Sequence, residues 1–243
     1  MKYLVVYLTA GFPNDRIFMD IASKLKDRGV NYLEIGIPPK YAKYDGPVIR
    51  KSYRYVKSLS IDVWRILKET VKIVDIPIIL LTYLEEYVDN YRQFLENVYS
   101  IGIDSILFPD LLIDLVDRYI EYIDIAKSIG IKIVLFVTPS MPDKFIENIS
   151  PLSSHFLYYG IRPTTGIPIP ITSSTLVKRI RGFVRNKLVV GFGLSIDEIA
   201  DVVRAGADGI AIGSAIIEKL ESNDFDGALK LIEDIRGVLN GVE

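Results

Sequence analysis

Residues 32–47, YLEIGIPPKYAKYDGP, begin with an apolar run from which the rest of the chain can be interpreted. The run 33–37, LEIGI, predicts a short buried strand, although it contains the carboxylate Glu34. A second carboxylate, Asp45, follows in a loop over residues 38–47, called the 38–47 loop below. Burial disfavours the ionised form of a carboxyl group and raises its pKa, so that the group can exchange a proton near neutral pH. Both residues are therefore candidates for acid–base chemistry.

Each carboxylate also has a purely structural explanation. Glu34 could pair with a lysine or arginine on a neighbouring strand. Asp45 could cap the turn that precedes Gly46 and Pro47. The two residues taken alone leave this choice open, and the remainder of the chain has to decide it.

Seven further apolar segments alternate with helical patterns around this strand. The eight predicted strands cover residues 3–8, 32–37, 78–82, 105–108, 132–137, 155–158, 188–191 and 209–212. Segments such as 76–80, IPIIL, are apolar at every position, which is typical of strands covered on both faces. Eight such strands between helices predict an α/β fold, a single (β/α)8 TIM barrel over residues 1–243. An open doubly wound sheet is the alternative, but no G-x-G-x-x-G follows the first strand.

Composition excludes several classes of function. The formal net charge of −2 gives no electrostatic reason to expect nucleic acid or an anionic membrane as a partner. The chain has no cysteine, and its single histidine, His155, excludes a multi-histidine metal site. No apolar run approaches the roughly 20 residues of a membrane span. We therefore expect a cytoplasmic protein that uses no metal.

Glycines follow the last three predicted strands. Gly166 comes after the sixth, Gly193 after the seventh, and Gly213 with Ser214 after the eighth. In a TIM barrel the active site lies at the carboxyl ends of the strands, and the loops after strands seven and eight often bind phosphate. Glycines let backbone N–H groups approach an anion, and a helix beginning near Ser214 would add more. Ordinary turn glycines are the alternative, but three segments at adjacent strand ends favour a phosphate site.

Several stretches, in their order and spacing, resemble the tryptophan synthase alpha subunit family. They are YLTAGFP, LEIGIP with the later DGPVI, TP-x-x-P at 138–142, TTG, GFGLS and GADGIAIGSAI. The resemblance spans nearly the whole chain, although GADGIAIGSA alone would suit several phosphate-binding barrels. It implies a lyase that cleaves indole-3-glycerol phosphate to indole and glyceraldehyde 3-phosphate without a cofactor of its own. It also implies a partner, the tryptophan synthase beta subunit, which carries pyridoxal phosphate.

The resemblance assigns roles to individual residues. Glu34 matches the family's catalytic general acid–base, and Asp45 matches the carboxylate that holds the indole N–H. The phosphate ligands fall on Gly166, Gly193, Gly213 and Ser214, and the apolar indole pocket falls on Tyr7, Leu81, Val137, Tyr158 and Phe192. The family's pocket tyrosine aligns with Leu157 without a gap and with Tyr158 if one residue is deleted. We favour Tyr158.

The chain departs from the family pattern in two places. The first predicted strand begins almost at Met1, whereas the family usually carries an additional N-terminal helix. In the family, the equivalent of the 38–47 loop signals to the beta subunit, and Tyr41 here replaces one of its aspartates. The sequence therefore leaves open whether the loop still signals to the partner. Two other functions are considered. A phosphate-binding barrel isomerase would need an aspartate at the end of the first strand, where this chain has Thr9. A non-catalytic phosphate-binding scaffold would not need the two carboxylates.

Overall fold

The computed structural model describes residues 1–162 and 171–242 of the chain. The strand segments in these ranges are β1 (Tyr3–Thr9), β2 (Tyr32–Gly36), β3 (Ile78–Leu81), β4 (Ser105–Leu107), β5 (Lys132–Val134), β6 (Phe136–Val137), β7 (Leu157–Gly160), β8 (Leu188–Gly191) and β9 (Gly209–Ile212). The α-helices are α1 (Asp15–Ser23), α2 (Pro47–Ser58), α3 (Val63–Ile73), α4 (Tyr91–Ser100), α5 (Tyr119–Ile129), α6 (Asp143–Ile149), α7 (Ser173–Arg181), α8 (Ile199–Arg204), α9 (Ser214–Glu221) and α10 (Phe225–Gly241).

The strands form one parallel sheet in the order β5, β4, β3, β2, β1, β9, β8, β7, β6. β5 and β6 are two segments of one strand, and helices separate the eight strands so defined. Because the first strand pairs with the last, the sheet closes into the predicted (β/α)8 TIM barrel. Strand residues are buried on both faces, in agreement with their continuous apolar sequences. The predicted fold is confirmed.

The fifth predicted strand is interrupted at one residue. β5 pairs with β4, and β6 pairs with β7. At Leu135, between them, the backbone N–H donates to the hydroxyl of Ser153 at 2.8 Å instead of to a strand. Over the described residues the eight predicted strands therefore form nine segments.

The sixth predicted strand begins and ends later than expected. The sequence pattern predicts His155 at its start, but this residue has φ of 60° and lies in a tight turn before β7. The turn is closed by a hydrogen bond from the Phe156 N–H to the Ser154 carbonyl oxygen at 2.6 Å. The His155 ring contacts the Ser105 hydroxyl at 2.9 Å, which gives the histidine a structural partner.

Helix α2 is an element that the sequence pattern does not predict. Pro47 occupies its first turn, and Ile49, Tyr53 and Val56 form its buried face at helical spacing. The helix begins directly after Asp45 and Gly46 and so fixes the end of the 38–47 loop. Across the described ranges, no helix combines the length and apolar character that a membrane crossing needs.

Candidate active site

A cavity of about 250 Å³ opens at the carboxyl ends of the strands. It is lined by both predicted catalytic carboxylates, by three of the predicted phosphate residues and by four of the predicted indole-pocket residues. These are Glu34, Asp45, Gly193, Gly213, Ser214, Tyr7, Leu81, Tyr158 and Phe192. Val137 is buried in the core and is not among the lining residues, and Gly166 lies outside the described residues. The structure thus brings residues from distant parts of the sequence to one site.

Glu34 projects from the middle of β2 into this cavity. The register places it beside Tyr7 of β1 and Ile79 of β3. The residue is only 2% exposed, and its Oε1 atom has no hydrogen-bond partner among the described residues. Burial, and secondarily the charge of Asp45, raises the pKa of Glu34 to about 8. A solvent-excluded carboxyl group with an unbonded oxygen can exchange a proton with a bound molecule.

Asp45 is also buried, but it has a hydrogen-bond donor. The Tyr83 hydroxyl donates to Asp45 Oδ2 at 2.8 Å. Burial raises the pKa of Asp45 to about 6, whereas this hydrogen bond and the charge of Arg50 act in the opposite direction. Asp45 is therefore mostly ionised at neutral pH, when Glu34 is mostly protonated. Environments that push two carboxyl pKa values apart commonly separate an acid–base group from a charged, stabilising group.

A hydroxyl network at the end of β1 fixes the position of Tyr7. The Tyr7 hydroxyl lies 3.1 Å from the Thr9 hydroxyl, which lies 2.6 Å from the Ser52 hydroxyl. Gly36 makes room for this arrangement, because a Cβ there would overlap the Tyr7 hydroxyl and lie 2.6 Å from that of Tyr53. At the position where a barrel isomerase would carry an aspartate, Thr9 is buried and makes only structural contacts.

Aromatic rings form one wall of the cavity. The ring of Phe136 lies 5.6 Å from that of Tyr158 and 5.4 Å from that of Phe192, measured between centroids. Burial and the two carboxylates raise the pKa of Tyr158 well above its usual range, so its hydroxyl stays protonated. Leu157, the other residue that could align with the family tyrosine, is buried and is not among the lining residues. The wall is suited to a flat apolar ring.

Another part of the cavity is lined by main chain. Phe192 and Gly193 both have positive φ, 62° and 91°, and they turn the chain after β8. Gly213 is the N-cap of α9 and has no side chain with which to cap it, and the cavity reaches the first helical residue, Ser214. A helix N-terminus beside glycines presents N–H groups and a positive dipole to an anion.

Neighbouring side chains hold this part of the cavity in place. Ser195 and Glu198 form a capping box, and Glu198 Oε2 also accepts a hydrogen bond from Arg162 at 2.9 Å. The Arg162 side chain packs on Gly193, where a Cβ would lie 2.7 Å from its Cδ. Gly193 is therefore restricted by both its positive φ and this contact.

Sequence reasoning missed several residues of the site. Tyr83, which donates a hydrogen bond to Asp45, lies two residues after the end of β3. Phe136 and Ser195 line the cavity. The rule that barrel sites lie at carboxyl strand ends could have identified Tyr83 as a candidate. Its pairing with Asp45, 38 residues away, has no signature in the sequence. Within residues 1–162 and 171–242 no group of histidine or acidic side chains could hold a metal ion.

The chain is similar to proteins of one known family along nearly its whole length. The family model described as "Tryptophan synthase alpha chain" matches residues 1–236. The tryptophan synthase alpha chain of Saccharolobus solfataricus is 50% identical over 240 residues, covering 98% of this chain and 97% of the relative. That of Sulfurisphaera tokodaii is 52% identical over 240 residues, covering 98% of each.

Solved structures are similar over the whole length. The structure of a mutant tryptophan synthase alpha-subunit from Pyrococcus furiosus gives a TM-score of 0.82 at 28% identity, covering 100% of both chains. A second structure, of the tryptophan synthase a2b2 complex from the same organism, gives a TM-score of 0.82 at 28% identity and covers 99% of this chain and 100% of that chain. The resemblance inferred from short motifs is thus confirmed along the chain, and it decides against a barrel isomerase.

Proposed function

Because this chain belongs to the tryptophan synthase alpha chain family, whose members cleave indole-3-glycerol phosphate, we propose that Glu34 and Asp45 carry this lyase reaction here. The observation that supports the assignment best is the pair of buried carboxyl groups in one cavity, only one of which has a hydrogen-bond donor among the described residues. The chain is accordingly a carbon–carbon lyase of tryptophan biosynthesis.

In the proposed mechanism, Glu34 transfers both protons that the cleavage requires. Its carboxylic acid gives a proton to C3 of the indole ring, which makes this carbon part of a good leaving group. The resulting carboxylate then takes the proton of the adjacent glycerol hydroxyl. The bond between C3 and the hydroxyl-bearing carbon breaks, releasing indole and the aldehyde of glyceraldehyde 3-phosphate. Glu34 is protonated again at the end, so the protons balance. Its pKa of about 8 is close to the value that favours both transfers.

Asp45 would stabilise the charge that develops on the ring. Protonation at C3 places positive charge on the indole nitrogen, and an ionised carboxylate can hold that N–H by a charge-assisted hydrogen bond. Tyr83 fixes one oxygen of Asp45 by donating to Oδ2, which leaves Oδ1 for the substrate. A preorganised carboxylate in a dry cavity contributes more than it would in water.

The two ends of the substrate would match the two kinds of lining in the cavity. Tyr7, Leu81, Tyr158 and Phe192 surround the ring, whereas Gly193, Gly213 and Ser214 bind the phosphate, with Gly166 as a further predicted ligand. A substrate held by both groups of residues would present the bond to be broken to Glu34, which lines the same cavity. No step of this reaction calls for a cofactor in this chain.

A beta subunit is the partner that we propose for this chain. The Pyrococcus furiosus protein is described as a tryptophan synthase a2b2 complex with mutual activation. In this chain Tyr41, on the 38–47 loop, is exposed. The family resemblance assigns to this loop the signalling to that partner. The family resemblance places pyridoxal phosphate in the beta subunit.

The test is indole release from indole-3-glycerol phosphate by the wild type and by Glu34→Gln, with and without a beta subunit. We expect Gln to lower turnover by about 10²–10⁴-fold and to leave substrate affinity within a few fold, because it keeps the shape but cannot transfer the protons. Glu96→Gln, at an exposed position on α4 and outside the cavity, is the control and should retain wild-type turnover.

The same measurements distinguish the alternatives. A wild type that binds the substrate but releases no indole, even with the partner, would support a non-catalytic scaffold. A wild type that does not bind the substrate would assign the phosphate site to another metabolite. Equal turnover in the wild type and Glu34→Gln would remove Glu34 from the mechanism.

A further inference from the structure

Side chains that follow β3 and β4 hold the 38–47 loop. The Lys43 ammonium lies 2.9 Å from Asp114 Oδ2 and also contacts the Glu85 carboxylate. The neighbouring Tyr44 donates its hydroxyl proton to Asp114 Oδ1 at 2.6 Å. Asp114 thus binds two consecutive residues, and these residues immediately precede Asp45. Lys43, Tyr44 and Asp114 are called the latch below.

The latch is connected to the active site through Tyr83. The Tyr44 backbone N–H donates to the Tyr83 hydroxyl oxygen at 3.0 Å, and the two rings stack with centroids 6.1 Å apart. The Tyr83 hydroxyl has one proton, and it donates this proton to Asp45 Oδ2 at 2.8 Å. A shift of Tyr44 would therefore change the geometry of the hydrogen bond between the Tyr83 hydroxyl and Asp45.

The segment that carries Tyr83 is itself fixed. Asp110, which is fully buried, accepts hydrogen bonds from the backbone N–H groups of Leu84 and Glu85, each at 2.9 Å. Asp110 and Asp114 are joined by a main-chain hydrogen bond from the Asp114 N–H to the Asp110 carbonyl oxygen at 2.8 Å. The loop after β4 is thus a single support for both the Tyr83 segment and the latch.

From these contacts we infer that Asp114 is a positioning residue for the cleavage of indole-3-glycerol phosphate. It acts on Asp45 through Tyr44 and Tyr83. The inference rests on the role proposed above for Asp45. Asp114 does not line the cavity, and its side chain is 30% exposed, so it has no direct contact with the site. Exposed ion pairs contribute little to stability. The latch should therefore affect catalysis more than folding.

Two substitutions test the latch. Asp114→Ala removes both of its contacts, and Tyr44→Phe removes the hydroxyl while keeping the ring that stacks on Tyr83. We expect each to lower kcat by about tenfold with a small change in KM, since misplacing a catalytic group slows the chemical step. The double variant should be no slower than Asp114→Ala, because both changes break one connection.

Asp104→Ala is the matched control. Asp104 forms an exposed ion pair with Lys132 at 2.6 Å. The two residues lie where β4 and β5 begin, which is the end of the barrel away from the cavity. We expect its kcat to equal that of the wild type. If Asp104→Ala lowers kcat as much as Asp114→Ala does, or if Asp114→Ala leaves kcat unchanged in an active enzyme, the inference is wrong.

Hydrogen exchange supplies a readout that does not depend on turnover. The Tyr44 amide should exchange faster in Asp114→Ala than in the wild type, because its bond to Tyr83 is weakened, and it should be unaffected in Asp104→Ala. Absence of indole release from the wild type would contradict the proposed function, whereas an unchanged Tyr44 exchange rate would contradict the latch. The two failures are thus distinguishable.

Discussion

Glu34 and Asp45 share a cavity but have different surroundings. Glu34 has an oxygen without a hydrogen-bond partner among the described residues, whereas Asp45 accepts from Tyr83 and experiences the charge of Arg50. The same degree of burial therefore produces a pKa of about 8 for one and about 6 for the other. Two chemically similar side chains are thereby given different protonation states at neutral pH.

This difference predicts a bell-shaped pH profile. In the proposed mechanism the active form has Glu34 protonated and Asp45 ionised, so kcat/KM should rise with pH through about 6 and fall through about 8. These apparent pKa values belong to the interacting pair. The substrate phosphate also ionises at about pH 6. Asp45→Asn is therefore the control. The residual activity of this variant should no longer rise with pH through about 6. A rise that persists in the variant belongs to ionisation of the substrate phosphate.

Gly36 is a position at which substitution should be poorly tolerated. A Cβ would overlap the Tyr7 hydroxyl and crowd Tyr53, and both hydroxyls are held in the core. Gly36→Ala should therefore lower the free energy of unfolding by about 1–3 kcal/mol. Gly237→Ala is the control: it lies within α10, and an added Cβ would meet nothing within 4 Å. There we expect about 0.5–1 kcal/mol of stabilisation in denaturant titrations. Equal effects at both positions would contradict this account.

At the residue scale, sequence identifies groups whose position is chemically unusual. Glu34 stands out because a carboxylate interrupts an apolar strand, and Gly193 because glycine follows a strand at the functional end of a barrel. Tyr83 does not stand out, since tyrosines are frequent in this chain. Its role depends on a hydrogen bond to a residue 38 positions away, which no local pattern encodes.

Helix α9 and the turn before it form the proposed phosphate end of the site. Ser214→Ala removes a hydroxyl donor but leaves the backbone N–H groups and the dipole in place. We expect KM for indole-3-glycerol phosphate to rise by about tenfold with kcat nearly unchanged, because the phosphate is bound equally in the ground and transition states. Ser222→Ala, just beyond the other end of α9, is the control. A fall in kcat without a rise in KM would place Ser214 in the chemistry instead.

At the element scale, the strands are easier to predict than the segments between them. β8 and β9 have the predicted bounds, because buried parallel strands are short, apolar and closed by glycine. Helix α2 escapes prediction because its apolar residues are diluted by lysine, arginine and tyrosine, although Pro47 and the spacing of Ile49, Tyr53 and Val56 are helical signals. The left-handed turn at His155 arises from tertiary hydrogen bonds, which the sequence does not display.

For the whole molecule, the buried carboxyl group of Glu34 implies a pH-dependent stability. The folded state binds the Glu34 proton up to about pH 8, whereas the unfolded chain releases it near the ordinary value of 4.5. The free energy of unfolding should therefore fall as pH rises between these values, by roughly 3–5 kcal/mol from this group. Denaturant titrations of Glu34→Gln should lack this fall, and those of the exposed Glu96→Gln should show it in full. Parallel curves for the wild type and Glu34→Gln would contradict the burial of a protonated Glu34.

The surface around Tyr41 that we propose to face the partner should be separable from catalysis. Tyr41 is 60% exposed on the 38–47 loop and does not line the cavity. Tyr41→Ala should leave the turnover of the isolated chain unchanged and should reduce its acceleration by a beta subunit. Tyr99→Ala, at an exposed tyrosine on α4, serves as the control and should retain full acceleration. Unaltered acceleration in Tyr41→Ala would remove this residue from the proposed interface.

The interruption at Leu135 leaves the barrel wall continuous but changes how it is joined. β5 and β6 are two segments of one strand, and the Leu135 carbonyl oxygen still accepts from the Tyr158 N–H of β7 at 2.9 Å. The Leu135 N–H donates instead to the Ser153 hydroxyl, which donates in turn to the Phe156 carbonyl oxygen at 2.6 Å. One side-chain hydroxyl thus takes the place of a main-chain partner directly before Phe136, in the aromatic wall of the cavity. The rigidity of that wall therefore depends in part on a single serine side chain rather than on backbone alone.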